Sequence, residues 1–217
     1  MTEIVIQNLS KTIKSNAVIQ DISMNLKSGV IYGFKGINGS GKTMLMRLIC
    51  GLIRPTEGEI LINGKTLGKD LSFPESIGVF LENPAFLDSY SGFQNLKILA
   101  SIKSVATDED IRATLSRVGL SPNDKKKYRK YSLGMKQRLG VAAAIMEKPD
   151  IVILDEPTNS LDADGVTLVK QIVQEEKGRG ALVILSCHDG ELLKDLSDEI
   201  FLLECGHLVE HTVGDEA

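Results

Sequence analysis

The segment Gly36–Thr43 combines glycines, one lysine and one hydroxyl at the spacing G-x-x-x-x-G-K-T. Glycines allow the main chain to fold so that successive N–H groups converge on phosphate oxygens. Lys42 adds a positive charge, and the Thr43 hydroxyl is a ligand suited to Mg²⁺. An apolar stretch, Val30 to Phe34, precedes the segment, and apolar residues at helical spacing, Leu45 to Leu52, follow it. This context favours a phosphate-binding loop between a strand and a helix over a glycine-rich turn without a ligand. The predicted nucleotide-binding residues of the loop are Gly36, Asn38, Gly39, Ser40, Gly41, Lys42 and Thr43.

Two acidic residues follow the apolar strand Ile151 to Leu154 and complete such a site. Asp155, at the end of the strand, is placed to hold Mg²⁺, usually through water. Glu156 is placed to polarise an attacking water, as a general base does from hydrogen-bond distance. The alternative is a polar loop with no catalytic or metal-binding role, and the phosphate loop upstream disfavours it. Together the two segments predict binding and hydrolysis of a nucleoside triphosphate.

A third segment, Tyr131 to Leu139, distinguishes among the families that share these features. It resembles the signature segment of ATP-binding cassette (ABC) proteins, usually written L-S-G-G-Q, in the form Y-S-L-G-M. Ser132 and the amides around Gly134 precede a helix, so they form a second anion site. The resemblance covers essentially the whole chain and implies that this site reaches the γ-phosphate bound by a second subunit. The residues that it assigns to the signature are Ser132, Leu133, Gly134 and Met135.

The resemblance also implies roles for three residues outside these segments. Ser160 and Asp162 lie where ABC proteins have their D-loop, which contacts the phosphate loop of the opposing subunit. His188 follows the apolar stretch Ala181 to Leu185, at the position of the switch histidine that orients γ-phosphate and water. Glu156 and His188 are therefore the expected catalytic residues.

Two positions depart from the common pattern of the family. Glu82 replaces the usual glutamine, and because both side chains ligate through oxygen, the expected Mg²⁺ ligands are Thr43, Glu82 and Asp155. With the Y-S-L-G-M signature, Glu82 resembles the ATPase subunits of bacitracin and lantibiotic self-protection exporters; neutral exchange in a tolerant loop is the alternative. Ile13 stands where relatives often stack an aromatic ring on adenine, so we expect an apolar contact about 1 kcal/mol weaker.

The remaining elements indicate the fold that positions these residues. Strand-like and helix-like segments alternate on both sides of a stretch that is helical from Pro84 to about Lys148. We predict an α/β P-loop NTPase of the ABC type, with a mostly parallel core sheet, an antiparallel N-terminal β subdomain and a helical insertion. Residues 1–217 would form one ABC ATPase domain. Its α/β core would comprise residues 1–83 and 149–217, and its helical subdomain would comprise about 84–148.

Composition excludes several classes of protein. The chain has 217 residues, a net charge of −4 and three scattered cysteines, which disfavours nucleic-acid partners, a zinc site and a disulfide framework. It has neither an apolar run that could cross a bilayer nor the features of a signal peptide. The basic run from Lys125 to Lys130 is interpreted either as a solvated loop or as a contact with acidic permease loops or anionic lipid head groups.

These observations predict the ATPase subunit of an exporter, with ATP and Mg²⁺ as cofactors. The expected partners are a second ABC ATPase, as a homodimer or heterodimer, and a separate transmembrane permease, with no nucleic acid. The expected location is cytoplasmic, peripheral on the membrane through the permease. The alternative is a soluble ABC ATPase that acts as an assembly or regulatory switch without solute transport.

Overall fold

The computed structural model describes residues 1–82 and 85–214. In chain order its strands are β1 (Glu3–Ile13), β2 (Asn16–Lys27), β3 (Ile31–Lys35), β4 (Glu57–Ile62), β5 (Lys65–Thr66), β6 (Ile77–Phe80), β7 (Ile151–Leu154), β8 (Leu182–Ser186), β9 (Glu199–Glu204) and β10 (His207–Val213). Its α-helices are α1 (Lys42–Ile49), α2 (Gly92–Lys103), α3 (Asp108–Arg117), α4 (Leu133–Ile145), α5 (Ala163–Gly178) and α6 (Gly190–Leu196).

A six-stranded sheet in the order β10-β9-β3-β8-β7-β6 forms the centre of the fold. The strands from β9 to β6 run parallel, and β10 returns antiparallel to β9. Phe34 pairs with Ser186, and Leu154 pairs with both Leu185 and Phe80, so these strands end side by side. The loops that leave β3, β6, β7 and β8 therefore meet at one edge, where sheets of this kind bind their ligands.

Side chains on opposite faces of the central strands enter two different hydrophobic clusters. Val152 and Leu154 belong to a cluster with Leu139 and other residues of α4, whereas Ile151 and Ile153 belong to one that contains the apolar side of α1. All four residues of β7 are buried. Helices cover both faces, which is why β7 and β8 are apolar throughout instead of alternating.

A second sheet, antiparallel and in the order β2-β1-β4-β5, is built mainly from the N-terminal part of the chain. Alternate residues of β1, such as Ile4 and Ile6, are fully buried in the cluster that contains α1. Asn63 and Gly64 connect β4 to β5 with positive φ angles of 51° and 78°, as a tight hairpin turn requires. This arrangement and the parallel sheet confirm the predicted fold class.

Residues 85–148 contain α2, α3, α4 and a single 3₁₀ turn, and no strand. Thr107 caps α3 through a reciprocal pair of hydrogen bonds with Asp110. Ser91 caps α2 in the same way. In the basic run Tyr128 is buried within the 3₁₀ turn, whereas Arg129 and Lys130 are exposed.

Some predicted boundaries are wrong by one or more residues. The apolar stripe after the phosphate loop was expected to include Leu52, but α1 ends at Ile49 and Leu52 is 56% exposed. Gly51 takes a left-handed φ of 74°, which stops the helix. Strands β3 and β8 each begin and end one residue later than the apolar runs suggested. In the described part of the chain, no helix combines the length and apolar character needed to cross a membrane.

Candidate nucleotide-binding and hydrolysis site

The loop between β3 and α1 is folded tightly, and two of its glycines lie at positions where a side chain would not fit. Gly36 has φ 152°, and a Cβ there would lie 2.4 Å from the Leu203 carbonyl oxygen and from Ser40 Oγ. Gly41 has φ 111°, and its Cβ would lie 2.9 Å from Ile19 Cδ1. Any other residue at these two positions would clash, so the glycines are required for the loop to approach the sheet.

Lys42 places its ammonium in the hollow of this loop. Its side chain is buried, and Nζ donates to the carbonyl oxygens of Gly36 at 2.7 Å and Ile37 at 3.1 Å. Ser40 Oγ is buried beside it without a hydrogen-bond partner. A buried cation, an unpaired hydroxyl and the N-terminus of α1 together suit an anion of the size and charge of a phosphate group.

Asp155 joins the end of β7 to the phosphate loop. Thr43 Oγ1 donates to Asp155 Oδ2 at 2.6 Å, and Ser186 Oγ donates to Oδ1 at 2.5 Å. Two of the three residues that were expected to hold Mg²⁺, although far apart along the chain, are therefore in contact. Hydroxyl and carboxylate oxygens are the donors that this ion prefers, and phosphate oxygens and water would complete its shell.

Glu82 lies beside the same pair of residues, just after β6. Together with Thr43 and Asp155 it lines a cavity of about 310 Å³. Its carboxylate Oε1 lies 2.6 Å from a guanidinium nitrogen of Arg47, in an ion pair that is partly open to solvent. A metal ion beside Thr43 would therefore compete with Arg47 for the Glu82 carboxylate.

Glu156 and His188 are brought together at the end of the sheet. His188 Nε2 lies 2.7 Å from Glu156 Oε1, and the Asn159 side-chain amide donates to Oε2. The main chain of Glu156 is also held, since its N–H donates to Ser186 Oγ at 3.0 Å. A carboxylate oriented on both oxygens beside the phosphate loop has the geometry of a general base.

Two cavities share this edge, with Thr43 and Glu156 in the lining of both. The first is the one that contains Glu82, and Leu133 and Ser160 also line it. The second, of about 260 Å³, is bounded by Val18, Met44 and the phosphate loop, including Asn38, Gly39 and Gly41. Ile13 lines neither cavity; it lies at the end of β1, 39% exposed and paired with Asn16.

The signature segment and the D-loop segment lie against each other. Ser132 caps α4 by accepting the Met135 N–H at 3.2 Å, and Leu133 is exposed. A Cβ on Gly134 would lie 3.3 Å from the Ser160 carbonyl oxygen. Asp162 caps α5 by accepting the Gly165 N–H at 2.9 Å, and it also pairs with Arg138. These contacts give Asp162 a structural role beside the one that the resemblance assigns to it.

Sequence reasoning missed Ser186, Gln137 and Val18. Ser186 is a polar residue at the end of a buried strand, β8, which pairs with the strand that leads to Asp155. A polar residue at that position could have been recognised as part of the site. Gln137 is polar on the side of α4 that carries Val141 and Ala144, both buried. Nothing in the pattern around Val18 indicates its place beside the phosphate loop.

The family model described as "ABC transporter" matches residues 19–159, well over half of the chain. The chain belongs to the ABC transporter family. It is an ABC ATPase, related to uncharacterized ABC transporter ATP-binding protein YybJ of Bacillus subtilis (strain 168), with 52% identity over 92% of this chain and 91% of YybJ. The bacitracin transport ATP-binding protein BcrA of Enterococcus faecalis is 34% identical over 94% of this chain and 67% of its own length. The lantibiotic transport ATP-binding protein SrtF of Streptococcus pyogenes is 33% identical over 94% of this chain and 88% of its own.

Solved structures confirm the fold of this ABC ATPase. The dimeric structure of MJ0796, a bacterial ABC transporter cassette, superimposes with a TM-score of 0.87 at 22% identity. The match covers 97% of this chain and 98% of that one. The predicted family, fold and ATPase class are therefore confirmed, and so is the relationship to bacitracin and lantibiotic transport subunits.

Proposed function

We propose that this ABC ATPase binds Mg-ATP between two subunits and hydrolyses it to drive a separate membrane permease. The observation that carries the chemistry is the contact of Glu156 with His188 at 2.7 Å, at the sheet edge where Thr43 meets Asp155. A base, an oxygen site for a metal and a phosphate loop at one edge suit phosphoryl transfer to water. The exposed signature supports a site that needs a second subunit.

Each group has a distinct part in that reaction. Lys42 and the amides of the phosphate loop hold the β- and γ-phosphates, and Val18 supplies an apolar wall beside them. Thr43, Asp155 and Glu82 would hold Mg²⁺, with Arg47 competing for the Glu82 carboxylate; when bound, the ion would neutralise charge on the phosphates. Glu156 takes the proton of the water whose oxygen attacks the γ-phosphorus, and ADP leaves. His188 and Asn159 keep the Glu156 carboxylate oriented.

Dimerisation on ATP is the direct test of this mechanism. In Glu156→Gln the base is lost while the phosphate contacts remain, so we expect a dimer at saturating Mg-ATP by light scattering and no measurable hydrolysis. The control Glu156→Gln/Lys42→Ala lacks the phosphate-binding cation and should stay monomeric. A Glu156→Gln chain that remains monomeric at saturating Mg-ATP would contradict the two-subunit site.

The face that we assign to the permease is an apolar groove beside the C-terminal end of α1. Leu52 and Phe73 are more than half exposed, and with Pro55 and Leu67 they line a groove of about 360 Å³. Exposed apolar residues grouped in this way favour burial against another chain. Because α1 begins at Lys42, a chain seated there would contact the helix that also carries the phosphate loop.

The transport subunits for bacitracin and lantibiotics among the relatives support an antimicrobial peptide as the exported substrate.

A growth assay tests both the groove and the substrate class. Cells that lack this chain should become more sensitive to a lantibiotic or to bacitracin, and the wild-type chain should restore growth. Phe73→Asp should fail to restore it while the purified protein still hydrolyses ATP, whereas Val213→Asp, at another exposed apolar position, should restore it fully. Unchanged sensitivity across a panel of such peptides would remove the peptide assignment. Restored growth with Phe73→Asp would contradict the assignment of the groove to the permease.

A further inference from the structure

The signature helix α4 contacts the main chain of the catalytic glutamate in its own subunit. Gln137 is 7% exposed, and its Nε2 donates to the Glu156 carbonyl oxygen at 2.7 Å. Gln137 is the fifth residue of a helix that begins at Leu133, just after Ser132. Little more than one helical turn therefore separates the signature from this hydrogen bond.

Glu156 has a main-chain conformation that depends on such support. Its φ is 53°, in the left-handed region that residues with a side chain rarely adopt. A conformation of this kind persists only where the surrounding structure holds it. Ser186 accepts the Glu156 N–H at 3.0 Å, and Gln137 donates to the carbonyl group of the same residue.

The Glu156 carbonyl oxygen also accepts the Asn159 N–H, at 3.2 Å, from the loop that follows Glu156 itself. The supports from Ser186 and Gln137 come from different parts of the molecule. Ser186 ends β8 in the parallel sheet and also donates to Asp155, so it is tied to the phosphate loop of the same subunit. Gln137 comes from the helical segment whose N-terminus carries the signature. A displacement of α4 relative to the sheet therefore acts on the Glu156 carbonyl group and, through the peptide, on the direction of the carboxylate.

We propose that Gln137 is a positioning residue that links the signature to Glu156 of the same chain. Since the signature would engage the ATP held by the partner subunit, binding there sets the orientation of this chain's own base. The two ATP sites of a dimer are thereby coupled, so that one is active when the other is filled. This inference rests on the two-subunit function proposed above.

Two substitutions of Gln137 remove its hydrogen bond to Glu156 with little change in side-chain size. Gln137→Met keeps the length and bulk of the side chain but removes the donor. Gln137→Glu keeps the shape and turns a carboxylate oxygen toward the Glu156 carbonyl oxygen, which repels it. The matched control is Gln174→Met, on an exposed position of α5.

The experiment measures steady-state ATP hydrolysis against ATP concentration, with ATP binding and thermal unfolding of the same proteins. We expect kcat to fall roughly 10- to 100-fold in both Gln137 variants, because a small displacement of a catalytic group has effects of this size. We expect KM to change less than about twofold and the Hill coefficient to fall from above one toward one. Glu156→Gln/Gln137→Met should still form a dimer with Mg-ATP, and Gln174→Met should behave as wild type.

Three results would overturn the inference. Retention of kcat and of the Hill coefficient by both variants would show that the hydrogen bond positions nothing. A parallel loss of kcat, ATP affinity and thermal stability, or failure of both variants to fold, would show a role in folding alone. Wild-type hydrolysis with a Hill coefficient of one would exclude coupling. Failure of the two-subunit function gives a different result, because Glu156→Gln would then fail to form a dimer.

Discussion

Glu82 is the residue that most separates this chain from the common ABC pattern, and its ion pair with Arg47 makes the difference testable. Glu82→Gln keeps an oxygen ligand but removes its negative charge. We expect the Mg²⁺ concentration for half-maximal hydrolysis to rise about fivefold, the equivalent of about 1 kcal/mol for a partly exposed charge interaction. Arg47→Met should lower that concentration, because the cation that competes with Mg²⁺ for the Glu82 carboxylate is then absent.

Titration of ATPase activity with free Mg²⁺ at saturating ATP checks both variants. The double variant Arg47→Met/Glu82→Gln should match Glu82→Gln alone, since the arginine acts only through the carboxylate. An unchanged Mg²⁺ requirement in Glu82→Gln would favour neutral exchange at a tolerant position. An increased requirement in Arg47→Met would contradict the competition between the two partners of Glu82.

Individual residues show why part of the site could be predicted and part could not. Thr43 and Asp155 were both predicted from sequence as Mg²⁺ ligands, because a phosphate loop and an acidic residue at the end of a buried strand are two halves of one site. In the structure the two residues are in contact, through a hydrogen bond of 2.6 Å. Gln137 reaches Glu156 only because α4 packs against β6 and β7. No local sequence pattern encodes that position of α4.

At the scale of elements, the types of segment were predictable and their ends were less so. Strand β7 was evident because four consecutive apolar residues need cover on both faces. The end of α1 was predictable only in part: Gly51 indicates a stop, but the apolar spacing continues beyond it to Leu52. Strand order was also beyond the local pattern, since β3 lies between β8 and β9, which are far from it along the chain.

The element that carries the signature is held by its neighbours as well as by its own cap. Tyr131, just before Ser132, is buried, and its hydroxyl oxygen accepts the Gly92 N–H at the start of α2 at 3.1 Å. Burial raises the pKa of Tyr131 above its ordinary value. Leu139 of α4 lies in the same cluster as Leu154 at the end of β7. The start of α4 is thus tied to α2 while its apolar side faces the sheet, and a shift of α2 would reach the signature.

At the scale of the whole molecule, each chain would contribute half of an ATP site, and mixed subunits test this directly. Lys42→Ala removes the phosphate-binding cation, and Ser132→Arg obstructs the signature, so each variant alone should be inactive. A mixed dimer pairs the intact loop of one chain with the intact signature of the other and restores one site. Random pairing puts half of the chains in mixed dimers with one of two sites complete, so activity should recover to at most about a quarter of wild type. Coupling through Gln137 would keep the recovery below that limit, because the second site of a mixed dimer stays empty.

The control mixture combines Lys42→Ala with Lys42→Ala/Ser132→Arg, in which no dimer has an intact phosphate loop. It should remain inactive at every ratio, whereas the test mixture should be most active near equal amounts. Because each complete site needs both chains, the recovered activity should fall steeply as the total protein is diluted. Activity of Ser132→Arg alone, proportional to its concentration, would show instead that one subunit carries a complete site and that the exposed N-terminus of α4 serves another purpose.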